Sequence, residues 1–284
     1  MSKPTISFEY FPPRSPLQER RFWTAFGALQ TLEPDYVSIT WGALGTSSQA
    51  SVDVLQALTT DSRVPVAAHL TCVGHTERSI RETIASLADM GITRFVALRG
   101  DQPEAQANPE LLQHASDLVA ILAEDPARDI SVAAYPESHP QSVDPQQDLK
   151  WLKFKLDQGA QRAITQFFFA ADTFLRFRDR AVAAGITQEL VPGILPIHDI
   201  AKVQQFSRQC GANVPDALIQ RFSRTQDSQA AQVCAVEQCV ELIESLYREG
   251  VSHFHFYTLN QSTLAYRVCK AINADNNASV HAAA

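Results

Sequence analysis

The chain has 284 residues, 45% of them hydrophobic and 19% charged, which is the composition of a globular protein with a large core and excludes a disordered one. Its 24 Lys and Arg stand against 31 Asp and Glu for a net charge of −7, dispersed along the chain, which argues against a nucleic-acid surface and leaves an anionic small ligand needing a local positive pocket. Five cysteines form no C-x-x-C pair, their odd number fits a reducing compartment, and no apolar run approaches membrane length, so a cytoplasmic protein without membrane contact is expected.

Met1-Ser2-Lys3-Pro4 leads straight into the first strand candidate, Ile6 to Phe11, with no room for a signal peptide. That strand carries Glu9 and is ended by Pro12-Pro13-Arg14. Burying an unpaired ionised carboxylate costs several kcal/mol, so Glu9 faces water, has a partner, or has a raised pKa suited to handling protons. Period-two alternation puts Ser7 and Glu9 on one face, which is also what the wet face of an edge strand would show.

Seven further strand candidates follow: Tyr36 to Trp41, Val66 to Cys72, Arg94 to Gly100, Ile130 to Tyr135, Ala163 to Phe169, Leu190 to Leu195 and Phe254 to Leu259. Amphipathic stretches alternate with them, among them Pro16 to Leu32, Thr76 to Met90, Pro145 to Gln158 and Thr173 to Ala184. Gly91, Gly159 and Gly185 stand where helix C-caps belong, each just before a new strand. Strand and helix alternating this regularly imply parallel strands, and eight units close a (β/α)8 barrel of the TIM type, which at about 250 residues uses nearly the whole chain. The seventh unit is irregular: a long helical region, Asp199 to Glu249, is broken near Asn213-Val214-Pro215 and Ser223 and reads as an extra helical insertion. The expected organisation is one catalytic barrel over residues 1–271, with residues 272–284 a polar, alanine-rich tail that frays.

Barrel chemistry gathers at the C-terminal ends of the strands. The polar residues there are Glu9, Thr40, His69, Arg99 with Asp101, Tyr135 with His139, Gln166, and Thr258 with Asn260. His69 could equally be a core histidine, and Arg99-Gly100-Asp101 could be a turn with a surface ion pair. His253 and His255 share a face of the last strand, but without a third ligand at matching spacing they read as structural, and no metal is expected. There is no G-x-G-x-x-G, Walker loop, G-x-S-x-G elbow or strand-end lysine for a Schiff base, so Rossmann binding and covalent catalysis are set aside. An acid, an arginine with an aspartate, a tyrosine and a glutamine suit binding a polar heteroaromatic ring and donating it a proton.

Eight segments, one per barrel unit and in order, resemble the bacterial type of the methylenetetrahydrofolate reductase family. They are Phe8-Glu9-Tyr10-Phe11-Pro12-Pro13-Arg14, Ser38-Ile39-Thr40-Trp41-Gly42-Ala43, Ala68-His69-Leu70-Thr71-Cys72, Ala97-Leu98-Arg99-Gly100-Asp101, Val132-Ala133-Ala134-Tyr135-Pro136-Glu137, Arg162 through Phe169, Pro192-Gly193-Ile194-Leu195-Pro196, and Phe254 through Asn260. The resemblance implies a barrel that holds FAD at the strand C-termini. Hydride would pass from NADH or NADPH through flavin N5 to 5,10-methylenetetrahydrofolate, giving 5-methyltetrahydrofolate in a ping-pong, reversible reaction of one-carbon and methionine metabolism. An assembly of identical subunits is expected.

Carried over residue by residue, FAD contacts fall on Thr40, Trp41 and Ala43, on His69, on Leu98, Arg99, Gly100 and Asp101, on Ala115, and on Tyr135, His139, Asp148 and Lys155. Glu9 would be the acid that protonates N10 so that the imidazolidine ring opens to an iminium ion, and Asp101 would stabilise that cation. Thr40, Gln166 and Phe206 would complete the substrate contacts. The chain departs from the family pattern at Trp41, where tyrosine is frequent, at Phe154 and Trp151 near the FAD phosphates, and at Lys202 and Gln261. Rival readings are another flavin- or folate-binding barrel enzyme, or a binding subunit that keeps the barrel without turnover.

Overall fold

The computed structural model describes residues 3–41, 48–100, 110–139, 142 and 144–282; for Ser48 and residues 274–282 only the backbone is described. Eight parallel strands close in sequence order into a barrel: β1 Thr5–Tyr10, β2 Tyr36–Ile39, β3 Val66–Thr71, β4 Arg94–Leu98, β5 Asp129–Ala134, β6 Arg162–Phe167, β7 Glu189–Ile194 and β8 His253–Tyr257. Each expected strand is present, offset by one or two residues at its ends. Closure is made by β8 pairing with β1, Ser7 opposite His255 and Glu9 opposite Tyr257. Since β1 also pairs with β2, it is no edge strand, and Glu9 does not lie on a wet outer face.

The helices follow from the capping chemistry. The helix α1 (Pro16–Leu29) starts with Ser15 accepting from the Gln18 amide and proline at its first position, and a short 3₁₀ turn, Gln30–Leu32, continues it. Next come α2 (Ser48–Asp61), α3 (Glu77–Asp89, capped by Thr76), α4 (Ala115–Ala123), α5 (Pro145–Asp157, capped by Asp144) and α6 (Ala171–Ala183). Gly159 ends α5 at φ 122°, and a Cβ there would stand 2.7 Å from the Cβ of Ala123, so a side chain would push α5 off α4. Between β7 and β8 lie three helices, α7 (Ile200–Cys210), α8 (Asp216–Ser223) and α9 (Ser228–Arg248), with breaks where the sequence places them. The last helix, α10, runs Thr263–Ala282, past residue 271 where a frayed tail is expected; three of its last nine residues are alanine, the strongest helix former. Among the described residues no helix is long and apolar enough to cross a membrane.

Strand alternation sorts the side chains into two cores. Phe8, Tyr10, Phe254 and Phe256 point outward, fully buried beneath the helices. Tyr10 meets the rings of Phe22 and Phe26 of α1 at 5.4 and 6.2 Å. Inside the barrel, Val96, Ile164 and Val191 form a small apolar cluster with Leu98 packed on it. The opposite interior wall is polar: Ser7, Glu9, His69, His253 and His255.

Candidate active site

A cleft of about 940 Å³ opens at the C-terminal ends of the strands. That is the upper end of the usual range for small-molecule and cofactor sites. Glu9, Thr40, Trp41, His69, Leu98, Arg99, Gly100, Ala115, Tyr135, His139, Asp148, Lys155 and Gln166 all line it. Ala43 and Asp101 lie outside the described residues. Phe206 does not line the cleft; it is half exposed on α7, stacked on Phe167 with ring centroids 5.5 Å apart.

Glu9 forms the inner end of the cleft. Its Oε2 lies 3.5 Å from Nε2 of His69 and 3.7 Å from Nε2 of His255, long for hydrogen bonds, and the carboxyl is only 14% exposed. Burial raises the Glu9 pKa above its ordinary value, and the neighbouring His69 offsets this only in part. Burial likewise lowers His69, and takes His255 down to about 3 with help from His253. All three shifts favour neutral forms, the carboxyl toward its acid and the two imidazoles toward their bases. A desolvated acid whose pKa is raised toward the working pH is what general-acid catalysis requires.

Gln166 reaches the cleft through an irregularity. The β6–β7 register shifts between Ile164 and Phe167, and such a bulge re-aims a side chain. The Gln166 side-chain oxygen accepts from the Phe167 amide at 3.0 Å, which turns its amide nitrogen away from its own backbone. Beside it β7 comes so close that Gly193 is obligatory: a Cβ would overlap the Thr165 carbonyl oxygen and lie 2.6 Å from the Tyr257 ring. On the opposite wall the Lys155 ammonium donates to the Ala133 carbonyl at 2.7 Å, and burial lowers its pKa to about 8 despite nearby Asp148. The Asp148 carboxylate accepts from the His139 amide at 3.0 Å, fixing the loop after β5.

Two strand-end residues singled out in the sequence have another task. The Thr258 hydroxyl donates to the Glu9 carbonyl at 2.6 Å, and the Asn260 side chain pairs with both the amide and the carbonyl of Phe11. They clamp the end of β8 to β1 and thereby hold Glu9 in place; neither lines the cleft. The residue that does is Tyr257, whose hydroxyl donates to the Thr165 carbonyl at 2.8 Å and is pushed well above its ordinary pKa by burial. Its period-two phase with His255 was the available signal. Arg180 of α6 also reaches the cleft, donating to the Pro136 carbonyl at 3.1 Å.

Residues 1–273 match the model of the family described as methylenetetrahydrofolate reductase. The chain belongs to that family. It is 40% identical to the 5,10-methylenetetrahydrofolate reductase of Pectobacterium carotovorum subsp. carotovorum over 94% of this chain and 89% of the relative. With the Escherichia coli K12 protein of the same name it shares 39% identity over 94% of this chain and 90% of the relative. This member of the methylenetetrahydrofolate reductase family is therefore an oxidoreductase. Among solved structures it is similar to an uncharacterized protein from Clostridium thermocellum that binds two copies of 5-methyl-5,6,7,8-tetrahydrofolic acid. That likeness, with a TM-score of 0.65 at 14% identity over 96% of this chain and 95% of the other, shows the barrel fold.

Proposed function

We propose that this chain reduces 5,10-methylenetetrahydrofolate to 5-methyltetrahydrofolate with NADH or NADPH as donor and FAD held in the cleft. The observation that carries the reading is the buried Glu9 carboxyl between His69 and His255 at the cleft floor. A binding module has no use for a desolvated acid at the bottom of its pocket.

The cleft residues suit a dinucleotide cofactor. Positive charge comes from Arg99 and Lys155, and Ala115, the first residue of α4, brings a helix N-terminus to the lining, where anionic groups are favoured. Thr40, Trp41, His69, Leu98, Gly100, Tyr135, His139 and Asp148 supply walls and hydrogen-bonding groups along the same cleft, and Ala43 joins them on sequence alone. FAD held there would supply the hydride chemistry between nicotinamide and folate. At the rim, Trp151 is stacked on His114 at 5.6 Å and meets Phe154 edge-on at 6.0 Å. Aromatic surface there replaces charge in holding the cofactor. Phe154→Arg should tighten FAD by about tenfold if a missing cation limits affinity; an unchanged dissociation constant in a flavin-fluorescence titration counts against this.

The residues then act in order. Thr40 and Gln166 hold the ring amide of whichever substrate is present, and Phe206, outside the cleft lining, joins them as a substrate contact on sequence alone. Glu9 delivers its proton to N10 of the folate, which opens the five-membered ring to an iminium ion ready to accept hydride. Asp101, whose role rests on sequence alone, stabilises that cation. The cytoplasm, an assembly of identical subunits and a place in one-carbon and methionine metabolism complete the proposal.

The test is anaerobic. Purified protein should be yellow, be bleached by NADH or NADPH and regain its colour with methylenetetrahydrofolate. A colourless protein indifferent to FAD sinks the reading.

A further inference from the structure

A file of hydrogen-bonding groups runs the length of the barrel interior, from Glu9 to the opposite face. Behind Glu9 stands His255, with Nε2 3.7 Å from its carboxyl. On the far side of that ring, Nδ1 lies 2.8 Å from the Ser7 hydroxyl, which is also 3.1 Å from Nε2 of His253. Nδ1 of His253 in turn lies 3.4 Å from Oε1 of Glu189, at the start of β7. Ser7 and His255 are wholly buried and His253 nearly so, whereas the Glu189 side chain is 46% exposed. The file therefore has one end in the cleft and the other in water, at the barrel face where the strands begin.

Barrel closure builds it. Ser7 and Glu9 of β1 and His253 and His255 of β8 share the inward face, and the β1–β8 register sets Ser7 opposite His255. The serine has one hydroxyl proton and two imidazole neighbours, so it donates to one and accepts from the other. With Ser7 donating to His255 the file points toward Glu9, and it becomes continuous from its mouth once Glu189 has taken up a proton. The gap at Glu9 is within reach of its terminal torsion, which is broad and roughly two-fold.

We propose that Glu189, His253, Ser7 and His255 form a proton path that reloads Glu9 from the face opposite the cleft. The inference rests on the reading of Glu9 as the acid that protonates folate. Reduction consumes one hydride and one proton per folate, and folate lying over Glu9 covers the cleft route while the Glu189 end stays wet. After Glu9 has given up its proton, one taken from water at Glu189 passes to Nδ1 of His253. The Nε2 proton of His253 passes to Ser7 Oγ, the Ser7 hydroxyl proton to Nδ1 of His255, and the Nε2 proton of His255 to Glu9. Each intermediate group gives one proton and takes one, so one proton moves from water to Glu9, and each imidazole is left as its other tautomer until rings and hydroxyl turn back for the next cycle.

Other charged and titratable groups face the file from every side. They are Tyr36 of β2, stacked on His255 and pushed up to about 12 by burial, His69 of β3, Arg94 of β4 over the Tyr36 ring, Asp129 of β5, Arg162 of β6 beside Glu189, and Tyr257 of β8. The hydrogen bond with His253, and after it Arg162, keep Glu189 below the usual carboxylate range against its partial burial. It therefore stands as an anion that attracts protons to the mouth of the file.

Two measurements test this with Ser7→Ala, Ser7→Thr and the half-exposed Glu189→Gln. The first stopped-flow re-oxidation of the reduced holoenzyme draws on the proton Glu9 already holds and should change little, whereas steady-state folate reduction across pH, which needs Glu9 reloaded every cycle, should slow about tenfold or more in Ser7→Ala, less than the roughly hundredfold that losing the acid itself would cost. Its solvent deuterium effect should grow, reduction by NADH should stay within about twofold, and Ser7→Thr, which keeps the hydroxyl, should recover most of the rate. Glu189→Gln should show a smaller loss confined to high pH, where protons are scarce. In the folate-free protein, the infrared titration of the Glu9 carboxyl, assigned by its disappearance in Glu9→Gln, should shift in Ser7→Ala and return in Ser7→Thr. Steady-state folate reduction and Glu9 titration both unchanged in Ser7→Ala overturn the path. If wild type is not re-oxidised by folate at all, the functional reading fails, and the infrared titration alone decides whether Ser7 couples to Glu9.

Discussion

The two sides of the barrel interior are built from opposite materials. On the side of β4, β6 and β7, Val96, Ile164 and Val191 pack with Leu98 as an ordinary apolar core. On the side of β1, β3 and β8, Ser7, Glu9, His69, His253 and His255 stand in contact with one another and almost out of water. An apolar wall needs only volume, whereas each buried polar group needs a partner in the right place. The second wall can exist only because barrel closure brings β8 beside β1. The first wall serves the second by keeping water out, and burial raises the Glu9 carboxyl above its ordinary pKa of 4.5.

The sharpest way to break the contrast is at Glu9. Glu9→Gln keeps the shape and removes the titratable proton, so re-oxidation by methylenetetrahydrofolate should fall by about a hundredfold or more while reduction by NADH or NADPH is nearly untouched. Equal loss of both half-reactions in stopped flow would mean that the carboxyl only shapes the site. The opposite wall should answer to stability. Val191→Ala leaves a cavity at a fully buried position outside the cleft lining, and urea unfolding should show a loss of about 1–3 kcal/mol with the ratio of the two half-reaction rates preserved. A selective loss of the folate step would show that the apolar wall tunes Glu9 more finely than by excluding water.

The same division explains what the sequence disclosed. Eight strands and the broken helical stretch before β8 were legible because hydrophobic period and glycine caps are local signals, as at Gly91, Gly159 and Gly185. The cleft was legible because strand ends are recognisable, and Thr40, His69, Arg99, Tyr135 and Gln166 do meet in it. The same rule promoted Thr258 and Asn260, which clamp β8 to β1, and passed over Tyr257 one position away. A strand-end polar residue can turn inward or across to its neighbour, and one residue of phase decides which. The file behind Glu9 was beyond reach. Ser7 and His255 lie 248 positions apart, and only the register of the closing strand pair makes them neighbours.

Smaller in effect, but diagnostic of how the polar wall is held, is the dependence of stability on pH. In the unfolded chain His255 titrates near 6.5, while burial takes the native group down to about 3. Between those values the unfolded chain binds a proton that the native one refuses, so stability falls as pH falls, by up to about 1.4 kcal/mol per pH unit. Glu9 has the opposite sign. Its native pKa is raised above 4.5, so above that pH the native chain keeps a proton that the unfolded chain has lost, and stability falls as pH rises until the native group ionises. Where the two windows overlap, upward from pH 4.5, the two slopes oppose each other, and wild type should be flatter than either single variant. Urea unfolding between about pH 4.5 and 6.5 should therefore show stability rising more steeply with pH in Glu9→Gln and turning downward in His255→Asn. Slopes that move together, or not at all, would show that the carboxyl and the imidazole are not both held neutral, and would remove the electrostatic basis for Glu9 as a proton donor.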